Sequence, residues 1–172
     1  MTNKLSLKVD GQVLTMERVF DAPHALVFEA HSTAEHLKHW WGPNGWILSA
    51  CTVDFRPGGV WHYCMKCIDQ NQGDFFGYES WGKAVYKEIV TNEKIAYVDY
   101  FSDAEGNESA DMPSANVTMT FEATQDGKTK FVSVTRYPTE EALKTVVEMG
   151  MEQGISETSD RLVAYLEELK SS

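Results

Sequence analysis

The chain has 172 residues, 42% of them hydrophobic and 24% charged, which is enough for one domain with a sizeable core. A formal net charge of −11 excludes unspecific nucleic-acid binding, which needs a basic face, and would repel anionic membranes. No apolar run reaches the length of a membrane span, and MTNKLSLKVDGQ has neither the apolar core nor the cleavage site of a signal peptide, so a cytoplasmic protein is expected.

Val13–Phe20 (VLTMERVF) alternates apolar and polar residues and predicts a first strand. In DAPHALVFEAH, Asp21 can cap and Pro23 suits a first helical turn, with Leu26, Val27 and Ala30 as the apolar stripe. STAEHLKHW predicts a second short helix, with Ser32 and Glu35 at capping-box spacing and Gly42–Pro43 as its stop. Strands are then expected at Trp46–Phe55 and Val60–Cys67, joined by the turn RPGG, and at Gly73–Phe76, Trp81–Val90 and Ile95–Phe101. Ser102–Ser114 is polar and acidic and predicts a loop or wide hairpin connection. Val117–Ala123 and Lys130–Tyr137 follow, with a turn at Asp126–Gly127. Pro138 and Thr139 open a long helix whose apolar residues, from Leu143 to Leu169, recur at helical spacing. Two short helices after the first strand, about six or seven antiparallel strands and one long C-terminal helix make an α+β fold, expected as one domain with its core at about 13–169.

Three motifs carry a family resemblance. RVFDAPHALVFEAHSTAEHLKHWWGPNGW resembles the R-x-F-x-A-P segment that leads to a WWGP motif in the Hsp90-ATPase-activator-homologue branch of the START/Bet v 1-like (SRPBCC) superfamily. VDFRPGGVWHYCM is similar to that branch's D-x-R-P-G-G-x-W-x-Y-x-M hairpin, and GMEQGISETSDRL to its C-terminal G-M-x-x-G and D-R-L segments. The match runs from about Arg18 to Leu169. It implies a helix-grip fold, in which a curved sheet wraps a long helix and leaves a cavity between them. Many members carry Trp where this chain has Met151 or Ile155, so ligand specificity does not transfer. The family's functions are mixed: hydrophobic-ligand carriers, stress proteins, polyketide cyclases and a co-chaperone domain.

HLKHWWGPNGW concentrates Trp40, Trp41 and Trp46 around a Gly-Pro turn. These rings either fill ordinary core or border a cavity mouth, and their place on a loop tilts toward the mouth. Alternation on VWHYCMK puts Trp61, Tyr63 and Met65 on one strand face, opposite His62, Cys64 and Lys66. Met65, Met119, Met149 and Met151 offer adaptable packing, and Tyr63 and Tyr97 offer hydroxyls for a ligand's polar end. Gly150 and Gly154 interrupt the last helix, which calls for a close approach to the sheet, room for a ligand, or a bend. The expected ligand-binding set is therefore Trp40, Trp41, Trp46, Trp61, Tyr63, Met65, Tyr97, Met119, Gly150 and Met151.

Metal and redox chemistry are not expected. Cys64 and Cys67 sit three apart on a strand and point to opposite faces, and the odd number of cysteines suggests reduced thiols. His31, His36 and His39 lack a clear carboxylate or thiol to complete a site, and the latter two read as solvent-facing. Asp54 and Arg56 look like turn anchors that pair with each other. No phosphate loop, nucleophile elbow or HExxH occurs, and no cofactor or catalytic residue is assigned. The leading expectation is a carrier of a small hydrophobic or aromatic ligand, lipid-, polyketide- or flavonoid-like, in a stress-response setting and acting as a monomer or weak homodimer. The resemblance also implies two alternatives, a module that binds a heat-shock chaperone and a cyclase using cavity tyrosines or Arg136.

Overall fold

The computed structural model describes residues 5–171; residues 1–4, part of the segment read as lacking a leader, and residue 172 lie outside that range. Its strands are β1 (Ser6–Asp10), β2 (Val13–Phe20), β3 (Trp46–Val53), β4 (Val60–Cys67), β5 (Glu79–Val90), β6 (Lys94–Phe101), β7 (Ala115–Ala123) and β8 (Thr129–Arg136). The helices are α1 (His24–Ala30), α2 (Ala34–Trp40), α3 (Glu140–Glu148) and α4 (Met151–Ser171). All eight strands form one antiparallel sheet in the order β1-β2-β8-β7-β6-β5-β4-β3. Consecutive strands pair everywhere except between β2 and β3, where α1 and α2 carry the chain across. This is the helix-grip fold, with one strand more than expected.

The extra strand, β1, is an edge strand: SLKVD alternates polar and apolar residues, but the run is short, and of its apolar side chains Leu7 is half-buried while Val9 is exposed. Gly73–Phe76 is not a strand but the end of an irregular helical segment, Gln70–Phe75, that begins where Asp69 accepts from the Asn71 amide. Two register shifts, at Leu48/Ala50 in β3 and Tyr86/Glu88 in β5, add bends to the sheet.

The helix starts differ in detail from expectation. Pro23 occupies the N-cap of α1, without a side-chain cap, and Thr33, not Ser32, caps α2 by accepting from the His36 amide. The C-terminal helix is not continuous. Thr139 caps α3 as expected, but the chain breaks at Met149–Gly150, where Gly150 has φ +90, a left-handed conformation suited to glycine. A Cβ at Gly150 would meet nothing within 4 Å, so the residue serves the bend and not a close approach.

The main core lies between the inner sheet face and α1, α2 and α4, with Phe20, Phe28, Trp61, Tyr86, Phe121, Phe131, Leu162 and Leu166 among its buried residues. A smaller cluster, Leu14, Ala115, Tyr137 and Leu143, sits under α3. Among the described residues, no helix is long and apolar enough to cross a membrane.

Candidate functional site

Between the sheet and α4 lies a cavity of about 360 Å³. Strand alternation aims side chains into it in rows. Asp99 on β6 stands opposite Ala115 on β7, with Tyr137 just beyond β8 at the same end. In the next row Tyr97 faces Val117, Val117 faces Thr135, and Thr135 faces Leu14. Met119, Ser133 and Met16 continue the wall, and Phe131, Phe20 and His31 border it further on. From α4, Met151, Gly154, Ile155, Thr158, Ser159 and Leu162 close the other side.

The tryptophans of HLKHWWGPNGW divide between roles. Trp40 is buried, donates to the Ala30 carbonyl at 3.0 Å and borders the cavity. Trp41 also borders it and meets Trp40 and Trp61 edge-on, at centroid distances of 5.3 and 4.7 Å. Trp46 turns away, donates to Gln72 at 3.1 Å and packs near Phe75 and Tyr78. The loop between them is fastened to α4: Arg161 Nη1 lies 2.7, 3.2 and 3.1 Å from the carbonyl oxygens of Gly42, Pro43 and Trp46. Glu157 accepts from the Asn44 amide at 3.0 Å.

Of the ten expected ligand-binding residues, Trp40, Trp41, Met65, Tyr97, Met119 and Met151 line the cavity. Trp61 and Tyr63 are buried behind that lining, their rings 4.6 Å apart, and Trp46 and Gly150 lie outside it. Gly154 lines the cavity, and a Cβ there would enter open space.

The cavity also holds an acid, Asp99, which lies outside the expected set. Asp99 Oδ1 accepts from the Tyr63 hydroxyl at 3.3 Å, and burial pushes its carboxyl up to about 7, against the lowering effect of that hydrogen bond. Its signal was present in IAYVDYF: Tyr97 and Asp99 are two apart on one strand, so they share a face. Gly82 makes the Tyr63–Asp99 bond possible, because the Tyr63 ring lies across it and any Cβ there would overlap the ring. Burial, followed by the nearby Asp99 carboxyl, raises the Tyr97 hydroxyl well above its usual range; the same two causes push Tyr137 up to about 12. Tyr137 donates to Met151 Sδ at 3.4 Å.

His31 is a further lining residue outside the expected set. Its Nδ1 bonds to the Val27 carbonyl at 2.8 Å, its ring stacks on Phe131 at 5.4 Å, and burial lowers its pKa to about 4. The neutral ring therefore carries its proton on Nδ1 and offers Nε2 as an acceptor. His36 and His39 are not simply solvent-facing: the first bonds to Tyr165 at 2.6 Å and to Glu29 at 3.2 Å, and the second stacks on Tyr165 at 4.7 Å. Among the described residues no group of three or more His, Cys, Asp or Glu converges on a metal position. Cys51, Cys64 and Cys67 are free thiols. Asp54 and Arg56 form a surface ion pair at 3.0 Å, and Arg136 is exposed on the sheet.

A family model described as Activator of Hsp90 ATPase homolog 1-like protein matches residues 21–167. The chain belongs to this family. No curated protein matches the chain. Several solved structures share its fold. Protein Ms6760 from Mycobacterium smegmatis is 27% identical, with 94% of each chain covered and a TM-score of 0.77. A Staphylococcus epidermidis protein is 28% identical, with 95% of this chain and 94% of that one covered and a TM-score of 0.76. An Arthrobacter aurescens protein, 23% identical with coverage of 98% and 93% and a TM-score of 0.81, extends the likeness of fold alone. Membership in the Activator of Hsp90 ATPase homolog 1-like family and the helix-grip fold together support a module built around a hydrophobic pocket.

Proposed function

We propose that this protein binds a small hydrophobic or aromatic molecule in the cavity between the sheet and α4. The observation that carries this reading is the cavity's make-up: aromatic and aliphatic walls with a few polar groups among them, Tyr97, Asp99 and Tyr137 together at one end. Ligand sites of small molecules share that composition, since apolar area supplies affinity and a few polar atoms fix orientation. Trp40, Trp41, Met65, Tyr97, Met119 and Met151 supply the lining contacts, and Trp61 and Tyr63 support them from behind.

A thermal-shift screen with flavonoids, sterols, fatty acids and aromatic polyketides tests the reading. A ligand present at a hundred times its dissociation constant stabilises the fold by about 2.7 kcal/mol. That corresponds to a rise of roughly 5–10 °C in melting temperature for a chain of this size. Trp41→Ala, inside the cavity, is expected to weaken binding about tenfold, and Trp46→Ala, outside it, to leave binding unchanged. A flat screen, or equal losses in both variants, would count against the cavity as the site.

A second reading rests on a different surface. Ile68, Phe75, Phe76 and Tyr78 are each at least half exposed, an apolar grouping that a protein partner would cover. The family's name points to a heat-shock chaperone as that partner. Titration of purified Hsp90 with the wild type and a Phe75→Ser/Phe76→Ser variant separates the two: binding lost in the double variant supports the second reading, and no binding removes it.

A further inference from the structure

We propose that the end of the cavity bounded by Asp99, Tyr97 and Tyr137 receives its ligand through a hydroxyl group, and that it rejects ligands ending in a carboxylate. The inference rests on the cavity being a ligand site, as proposed above, and narrows the chemistry of what enters.

The polar groups at this end keep most of their hydrogen-bonding capacity unused. Asp99 accepts only the long Tyr63 bond on Oδ1, and no described residue donates to Oδ2. The Tyr97 hydroxyl and the Ser133 and Thr135 hydroxyls make no hydrogen bond to a described residue. Tyr137 is engaged by the Met151 sulfur, a weak acceptor that a better one displaces readily. These oxygens are open to the cavity and are not sealed without a described partner as Arg18 Nε, Trp61 Nε1 and Tyr86 Oη are, so the set at this end fits a molecule that completes it. The open capacity is that of an acceptor beside a phenol: a ligand hydroxyl donates to Asp99 and accepts from Tyr97.

Charge completes the argument. No lysine or arginine is among the residues lining the cavity. Two arginines on elements that border the cavity are held through Nη1, Arg18 by Ser159 and Asp160 and Arg161 by the carbonyls of the Gly42–Trp46 loop. Arg18, whose buried Nε has no partner among the described residues, stands beyond Met16 on β2, away from the Asp99 end. A ligand carboxylate at this end would meet the Asp99 carboxyl in a poorly solvated space with no counter-charge beside it, which favours neither ion. His31, at the far side, is neutral and adds a second acceptor instead of a cation.

The test is calorimetric titration with naphthalene, a naphthol and a naphthoate, which share one apolar body and differ in the end group. At about pH 8, where Asp99 is mostly ionised, the wild type is expected to bind the naphthol about tenfold more tightly than naphthalene and the naphthoate at least about tenfold more weakly than the naphthol. Asp99→Asn is expected to erase most of the naphthoate penalty measured relative to naphthalene in the same variant, with its ligand-free thermal unfolding reporting an intact fold. Tyr97→Phe, which keeps the carboxyl, is expected to weaken the naphthol without helping the naphthoate. Naphthalene binding with no end-group preference, or a preference that survives Asp99→Asn, overturns this inference and leaves the cavity as a ligand site. If none of the three probes binds, the cavity reading falls and the inference with it.

Discussion

Asp99 and His31 are opposed in their effect on stability. The Asp99 pKa is raised in the folded chain, to about 7 from 3.8, so its contribution is fullest below the unfolded value and is lost as pH rises toward 7. The His31 pKa is depressed, to about 4 from 6.5, so its contribution is present above 6.5 and is lost as pH falls toward 4. Over the shared window the two slopes have opposite sign and largely cancel. Tyr63, Tyr97 and Tyr137 face Asp99 but do not titrate there, since burial and the Asp99 charge hold them upward. Asp99→Asn removes one slope. Its stability relative to wild type is expected to grow by about 1.4 kcal/mol per pH unit between about pH 4 and 7 and to level off above, as read by urea unfolding at a series of pH values. A flat difference would show that the carboxyl is not perturbed. Gly82→Ala acts on the same pair by displacing the Tyr63 ring; a loss of about 1–3 kcal/mol is expected, smaller in a Tyr63→Leu background that has no ring to displace.

At the scale of elements, the two glycines of the C-terminal segment answer to different demands. Gly150 sits at φ +90 between α3 and α4, so Gly150→Ala is expected to cost about 1–2 kcal/mol. Gly154 lies within α4 and faces open space, so Gly154→Ala is expected to stabilise the fold by about 0.5–1 kcal/mol. Its methyl group also enters the cavity, and ligand affinity should fall as stability rises. Paired thermal and ligand titrations read both effects, and a Gly154→Ala variant that loses stability would show that the helix needs that glycine for itself. The loop after α2 depends on α4 in a similar way. Arg161→Met strands the carbonyls of Gly42, Pro43 and Trp46 and is expected to cost about 2–3 kcal/mol in chemical denaturation.

The whole molecule carries a net charge of −11, and its ion pairs are mostly exposed side chains of modest individual effect. Self-repulsion therefore acts on the fold as a unit, and salt screens it. The melting temperature is expected to rise by a few degrees between low and about physiological ionic strength; a fall would mean that ion pairs outweigh the repulsion. The cavity is equally a property of the whole. Its walls come from β2, β4, β6, β7, β8, both short helices' surroundings and α4, so no one element contains the site.

Much of this was legible in the residues. Alternation in VLTMERVF and VWHYCMK marked strands and their faces, Thr139 stood at the start of a helix, and the WWGP and RPGG segments named the family, because such signals depend on a few neighbouring positions. The same alternation placed Trp61, Tyr63 and Met65 on one face, yet only Met65 reaches the cavity. Which part of an inward face meets packed core and which meets open space depends on where α4 lies over the sheet, and periodicity has no access to that distance. Asp99 meets Tyr63 across Gly82, and Arg161 reaches the carbonyls of a loop far away in the chain, so both contacts exist only once the sheet has curved and the helix has docked. Sequence by itself determined the fold class, the family and the faces of the strands, since these follow from local pattern. The tertiary structure decided the cavity, its acid and the division of the tryptophans, since these follow from the packing of elements remote in the chain.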